Sequence, residues 1–179
     1  MIDVSYDARD YVRTYRAIDP ALCPGIVEQI NSGTWKPHAY QTPSESLKTY
    51  DNDLSVTRAH VHDVDVAIKT HIKLYASEYK WLNLEGRSAT RYQRYVKGTL
   101  MRPHVDHIKT LFNNTGGIPV LTILGQLNTG YLGGELKIQG DVYTLDPGDI
   151  VIFPSNFMYP HAVDEVTGGE RYSFVSWAW

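Results

Sequence analysis

His104-Val105-Asp106 is the only HxD in the sequence, and it is followed by the lone His161 and, ten residues later, by Arg171. Two imidazoles and one carboxylate are the ligand set of a non-haem Fe(II) centre that keeps one face open for reaction. On a β-strand residues i and i+2 share a face, so His104 and Asp106 would converge on one ion from a single segment, and His161 would arrive from another. Three such ligands leave three octahedral positions, room for a bidentate co-substrate and O2. Two other readings stay open at this level. Seven histidines in 179 residues will sometimes produce an HxD by chance, and zinc accepts the same ligand types.

Holding these side chains together calls for strands, and the sequence from residue 88 onward has their pattern. Short candidate strands fall at residues 88–96, 105–108, 118–128, 135–139, 142–145, 149–153, 161–166 and 171–179. They are separated by Gly-, Asn- and Pro-bearing turns such as Asp146-Pro147-Gly148 and Thr167-Gly168-Gly169. Eight short strands at close spacing argue for a sandwich or barrel, and a jelly roll has that strand count. Residues 1–82 read instead as helical. Asp19-Pro20 can start a helix in which Leu22, Ile26 and Ile30 share a face, ending at Ser32-Gly33, although Pro24-Gly25 interrupts it. A longer helix is predicted over residues 63–81, with Val64, Ile68, Ile72, Tyr75 and Tyr79 in one stripe packed on a sheet and Lys69, Lys73, Glu78 and Lys80 facing out. Residues 37–60 read as strand and loop. The expected class is mainly β with N-terminal helices. One domain spans residues 1–179, with 1–87 as a helical and loop support region and 88–179 as the β core.

The net charge of −3 gives no general attraction to phosphate backbones or anionic lipid, so neither nucleic acid nor a membrane is expected as a partner. Cys23 is the only cysteine, which rules out an intrachain disulfide. The first residues are charged, without the apolar run of a signal peptide, and no stretch reaches membrane-spanning length. A cytoplasmic protein is the expectation, and the Asn113-Asn114-Thr115 sequon is read as accidental.

Six blocks then recur in a known order. They are Arg91-Tyr92-Gln93-Arg94-Tyr95-Val96-Lys97-Gly98, Pro103-His104-Val105-Asp106, Thr122 through Leu127-Asn128, Gly133-Gly134-Glu135-Leu136, Pro147-Gly148-Asp149-Ile150-Val151-Ile152-Phe153, and His161-Ala162-Val163 with Gly169-Glu170-Arg171-Tyr172-Ser173. In these the C-terminal half resembles the Fe(II)/2-oxoglutarate dioxygenase superfamily, in its prolyl 4-hydroxylase-like branch. The resemblance implies a double-stranded β-helix (a cupin-like jelly roll) with N-terminal helices on one sheet. It implies Fe(II), 2-oxoglutarate and O2 as the reaction's partners, with ascorbate as an accessory reductant. By position, His104, Asp106 and His161 correspond to the iron ligands and Arg171 to the residue that holds the far carboxylate of 2-oxoglutarate, a role that suits a planar, permanently charged fork. Ser173 would add a hydroxyl to that carboxylate. Tyr95 matches a co-substrate-binding tyrosine, and Gln126 stands where related oxygen-sensing enzymes carry a tyrosine. Arginine at 171 differs from the lysine of collagen-type enzymes. Trp177 replaces the second arginine of the nucleic-acid demethylases, which disfavours that branch.

The substrate is less legible. Residues 107–117 follow the HxD and suit a lid. Arg102, His107 and the segment Trp35 to Tyr50 are candidates for the entrance, and Met101, Met158 and Tyr159 for an apolar wall. The resemblance favours hydroxylation of a prolyl residue in a peptide or protein. The same chemistry on a free amino acid or other small metabolite is the second reading, and a jelly-roll binding module without redox activity the third.

Overall fold

In chain order the computed structural model has strands β1 (Arg13–Arg16), β2 (Lys36–Pro37), β3 (Tyr40–Gln41), β4 (Leu47–Lys48), β5 (Ser55–Thr57), β6 (Arg91–Tyr95), β7 (Met101–His104) and β8 (Leu121–Gln126). They are followed by β9 (Leu132–Gly133), β10 (Leu136–Ile138), β11 (Asp141–Tyr143), β12 (Asp149–Pro154), β13 (His161–Val163), β14 (Val166–Gly168) and β15 (Arg171–Ala178), and the helices are α1 (Cys23–Asn31) and α2 (His62–Glu78). The structure describes residues 7–41, 47–79, 81–112 and 117–179. The turn and sequon at residues 113–116, and Lys80, fall outside them.

Two antiparallel sheets face each other, as a jelly roll requires. The larger runs β1-β12-β8-β15-β6-β5-β2 and the smaller β11-β10-β13-β7. β15 lies between β8 and β6, with Ser173 opposite both Gln126 and Gln93. Alternation along these strands sends side chains to two separate cores. On the outer face Ile123, Ile150, Ile152, Tyr172 and Phe174 pack with Ile26, Ile30, Val64 and Ile68 of the helices. On the inner face Tyr95, Val151 and Phe153 pack with Leu136, Ile138 and Val163 of the smaller sheet.

The helices form where polarity and capping direct them. Asp19 accepts a hydrogen bond from Ala21 N at 2.9 Å and caps a short 3-10 turn (Pro20–Leu22) that leads into α1. Pro24 is tolerated because it occupies the first turn of α1, where the missing N–H would have no partner. In α2 Val64, Ala67, Ile68 and Tyr75 are buried, and Ile72 and Tyr79 pack on the same cluster. Asp65 on its first turn receives Arg87 Nη2 at 2.6 Å and Thr90 Oγ1 at 3.2 Å, which ties the helix to the chain entering β6. No helix among the described residues is long and apolar enough to cross a membrane.

Several expectations need correction. Residues 105–108 are not a strand: β7 ends at His104, and Ile108 N turns back onto Asp106 O at 2.8 Å. Pro103 fits β7 because that strand is an edge of the smaller sheet, where a lost N–H costs no ladder bond. Residues 161–166 divide into β13 and β14, which belong to different sheets. The long helix stops at Glu78, short of Trp81, which is 92 % exposed. The N-terminal half is also not purely helix and loop. β1 pairs with β12, Tyr15 facing Ile150, and β5 pairs with β6, so both enlarge the main sheet.

Phe174 lies across Gly125 on the neighbouring strand, and a Cβ at residue 125 would sit 2.1 Å from Phe174 Cζ. Gly125→Ala should therefore destabilise the fold by about 1–3 kcal/mol through overpacking, read as a lower denaturant midpoint at unchanged slope. An unaltered midpoint would show that the Phe174 ring shifts freely.

Candidate metal centre and co-substrate pocket

β7 and β13 are antiparallel neighbours in which His104 stands directly opposite His161. Their ring centroids are 4.3 Å apart. Asp106, two residues beyond His104 and just outside the strand, turns its carboxylate between them, with Oδ1 3.5 Å from His104 Nε2 and Oδ2 3.3 Å from His161 Nε2. One donor atom from each residue lies within 4.8 Å of the other two. Donors at right angles and about 2.1 Å from a common cation would be about 3 Å apart, so the set fits one ion with little rearrangement.

The surroundings orient each donor. His104 Nδ1 bonds the carbonyl of Arg102 at 2.7 Å and His161 Nδ1 that of Tyr159 at 3.3 Å, both two residues upstream. A carbonyl can only accept, so each Nδ1 carries the proton and each Nε2 is left as a lone-pair donor facing Asp106. Asp106 Oδ2 accepts from Thr122 Oγ1 at 2.9 Å, and Thr122 Oγ1 meets Ser155 Oγ at 2.8 Å. Burial of Asp106 would raise its pKa, but the charge and Nε2–H hydrogen bonds of His161 and His104 in their protonated form outweigh it and hold the carboxyl well below the usual range, and a metal ion would take the place of those protons. A buried anion between two imidazoles is the electrostatic arrangement a cation completes.

Along the same inner face a second group gathers. Arg171 begins β15 opposite Tyr95 and is 4 % exposed. Its Nη1 donates to Ser173 Oγ at 2.9 Å, and Ser173 donates on to Gln93 Oε1 at 3.0 Å. The guanidinium lies 5.0 Å from the Tyr95 ring centroid and 5.9 Å from that of Tyr131. Neither Arg171 Nε nor the Tyr95 hydroxyl has a hydrogen-bond partner, although both are buried. Burial also pushes the Tyr95 hydroxyl up to about 12, so it stays a neutral donor. Arg171 borders a cavity of about 220 Å3 that Gln126, Tyr131 and Leu136 help to line. Gly134 makes room there, with φ at +70° and a Cβ position only 3.1 Å from Arg171 Cδ. A buried cation and a buried hydroxyl with unused donors are what a carboxylate would satisfy.

The other predicted residues behave differently. Gln126 reaches the cavity, but its amide nitrogen is spent on the carbonyls of Asn128 at 2.8 Å and Tyr172 at 3.2 Å. Arg102 is held beside the site by Asn52 Oδ1 at 2.6 Å and lies over the Tyr50 ring. His107 is exposed, and its ring bonds Pro119 O at 2.6 Å, an anchor for the chain leaving the site. Met101 is buried core, and Met158 and Tyr159 border a separate cavity of about 390 Å3 near Ala8. The sequence reading missed Thr122, Ser155, Gln93 and Arg91. Alternation on β6 carried the missing signal, because Tyr95 on the inner face places Gln93 and Arg91 there as well. Within the segment Trp35 to Tyr50, a candidate for the entrance, His38 and Tyr40 come near the site: their rings meet edge to face at 4.6 Å, with Tyr40 6.3 Å from the His104 ring. Burial, reinforced by the nearby positive charges of Arg91 and His104, pushes the His38 imidazole down to about 3, so it is neutral.

Known proteins resemble both halves of this arrangement. The model of the 2OG-Fe(II) oxygenase superfamily matches residues 90–179, which include both the triad and Arg171. A PKHD-type hydroxylase of Prochlorococcus marinus strain MIT 9215 is 36 % identical over 93 residues, covering 49 % of this chain and 40 % of the relative. A second, from strain MIT 9301, is 43 % identical over 51 residues, or 26 % of this chain and 22 % of that one. The chain thus spans less than half the length of these curated relatives. Among solved structures, the viral collagen prolyl hydroxylase of Paramecium bursaria Chlorella virus-1 in its 2OG complex has a TM-score of 0.69 at 13 % identity, covering 94 % of this chain and 95 % of that one. The Pseudomonas putida prolyl-4-hydroxylase gives 0.69 at 18 % identity over 94 % and 92 %. The Trichoplax adhaerens prolyl hydroxylase, in complex with a hypoxia inducible factor peptide fragment, gives 0.70 at 16 % over 94 % and 83 %. Those likenesses establish the jelly-roll fold, and the family model establishes the kinship: the chain belongs to the 2OG-Fe(II) oxygenase superfamily.

Proposed function

We propose that the protein is an Fe(II)- and 2-oxoglutarate-dependent hydroxylase in which His104, Asp106 and His161 hold the metal and Arg171, Ser173 and Tyr95 hold the far carboxylate of 2-oxoglutarate. The observation that carries this reading is the pairing of two incomplete sites on one inner face. One is an anionic triad with both imidazole Nε2 atoms turned toward its carboxylate. The other is a buried guanidinium with an unpartnered Nε. A binding module would need neither.

When bound, Fe(II) with O2 supplies the oxidising power that converts 2-oxoglutarate to succinate and CO2 and places one oxygen atom in a C–H bond of the substrate. The protein's part is position. The Arg102 and Tyr159 carbonyls fix the tautomers of His104 and His161. Thr122 and Ser155 aim the Asp106 carboxylate. Ser173 and Gln93 keep the Arg171 fork from rotating, which orients a dicarboxylate along the strand face. Phe153, 5.0 Å from the His161 ring, and the inner core around it exclude water. No side chain is needed as a general base. The prolyl hydroxylase folds among the neighbours support a prolyl residue of a peptide or protein as the substrate. The shared sheet supports residues 1–179 acting as one domain.

The reading is tested by succinate release from 2-oxoglutarate in the presence of Fe(II) and O2. Asp106→Ala is expected to reduce it to background. Arg171→Gln should raise the KM for 2-oxoglutarate roughly ten- to hundredfold, the worth of a charge-assisted hydrogen bond, with a smaller effect on kcat. Full turnover by either variant would overturn the assignment. Thr122→Val should weaken Fe(II) binding by about 10- to 100-fold, as expected for loss of a carboxylate-orienting partner. Anaerobic metal titration measures this, and unchanged affinity would show that Asp106 is fixed without the hydroxyl.

A further inference from the structure

Arg91 begins β6 on the inner face, opposite Val175 of β15, whereas Arg171 faces Tyr95 at the other end of the same pairing. Four residues of strand separate the two arginine levels, about 13 Å at the usual rise. The triad belongs to the Arg91 end. Asp106 is bonded to Thr122, Thr122 is the cross-strand partner of Trp177, and the Arg91 guanidinium lies 4.6 Å from the Trp177 ring centroid. The two arginines therefore serve opposite ends of the inner face, Arg171 away from the triad and Arg91 at the end where Trp177 and Thr122 lie.

Arg91 is a cation without an anion. Among the described residues no carboxylate lies within ion-pair distance of it, and its Nε is buried without a hydrogen-bond partner. The residue as a whole is only part-buried. Burial moves its pKa down, to about 10, with Asp106 opposing and Arg58 reinforcing, and the group remains charged at neutral pH. Arg58 is exposed and adds a second positive charge near the same end. His38 nearby is neutral. Asp106 is the anion at this end, and it serves the metal. The ledger of fixed charge is then uneven. Asp106, Arg171 and Arg91 sum to one positive charge, a divalent metal and a dianionic co-substrate would cancel each other, and one positive charge is left on the inner face.

Resting on the oxygenase reading above, we propose that Arg91, stacked on Trp177, receives a carboxylate of the primary substrate. The oxidised residue then carries a free carboxylate, either as an amino acid or at the C-terminus of a peptide. A guanidinium pinned by an aromatic face offers a planar fork to such a group, and the anchor is close to the metal, so it sets which C–H bond is presented.

The test uses protein loaded with Ni(II), a redox-inert stand-in, and 2-oxoglutarate, with binding followed by calorimetry. The probes are L-proline, L-prolinamide, N-acetyl-glycyl-L-proline, its C-terminal amide, and N-acetyl-glycyl-prolyl-glycinamide, in which proline is internal. At least one acid should bind roughly tenfold or more tightly than its amide, the worth of one charge-assisted pair. Arg91→Gln should erase that preference and Arg91→Lys should keep part of it. Whichever acid binds more tightly identifies the free amino acid or the chain terminus as the source. Equal binding of acids and amides, preference for the internal proline, no binding by any probe, or a preference that survives in Arg91→Gln would each overturn the proposal. Succinate release by the wild-type protein is scored separately: if it occurs while the acid preference does not, the oxygenase reading stands and only the Arg91 assignment fails.

Discussion

Everything at the centre of this molecule depends on β15 being covered on both faces. All eight of its residues are buried, and it is hydrogen-bonded along both edges, to β6 and β8. A strand in that position cannot hold a charge or hydroxyl that lacks a partner without a cost of a few kcal/mol. Its outer face meets the demand with apolar and aromatic groups against the helices. Its inner face carries Arg171 and Ser173 and meets the demand only in part, through Gln93. The donors left over are held in place by rigid neighbours, so a carboxylate ligand finds them already oriented.

The same constraint governs the triad from the opposite sheet. Asp106 lies just past the end of β7, where the chain is released from the ladder and can swing a carboxylate between two imidazoles. His104 and His161 remain in register on paired strands. Were Asp106 inside the strand, its orientation would be set by the pleat alone. Outside it, Thr122 on the facing sheet takes over, and the candidate metal site becomes a contact between the two sheets. Packing of Phe153 against His161 and of the inner core around Tyr95 therefore bears directly on ligand geometry.

Much of this was legible in the sequence, and the parts that were not share a cause. The grouping of His104, Asp106 and His161 was legible from side-chain chemistry and strand spacing, that of Arg171, Ser173 and Tyr95 only through the family resemblance, and the β character of the C-terminal half because turn residues bound its strands. Misplaced boundaries, as at residues 105–108, arose where local pattern does not distinguish a strand from its continuation. β1 was lost because Arg-Thr-Tyr-Arg pairs at the edge of a sheet, an arrangement fixed by β12 and invisible to local propensity. Arg91 and Gln93 were passed over for a different reason. Their inward direction follows from strand alternation once Tyr95 is placed on the inner face, but the family resemblance gave a role to Tyr95 and to neither of them.

The two halves of the chain also differ in what they supply. Residues 90–179, which match the superfamily, contain every group assigned to metal and co-substrate. The earlier residues supply the groups around the remaining side of the triad: His38 and Tyr40 beside His104, Arg58 beside Arg91, and Asn52 and Tyr50 fixing Arg102. Chemistry that is common to a family requires a fixed constellation on rigid strands, whereas choice of substrate requires only that the wall facing the open metal position vary. Short strands and loops that pack on the edge of the main sheet can change without disturbing β15, β8 or β6. On the proposed reading, selectivity would be set where Arg91 at the start of β6 meets side chains contributed by the N-terminal half.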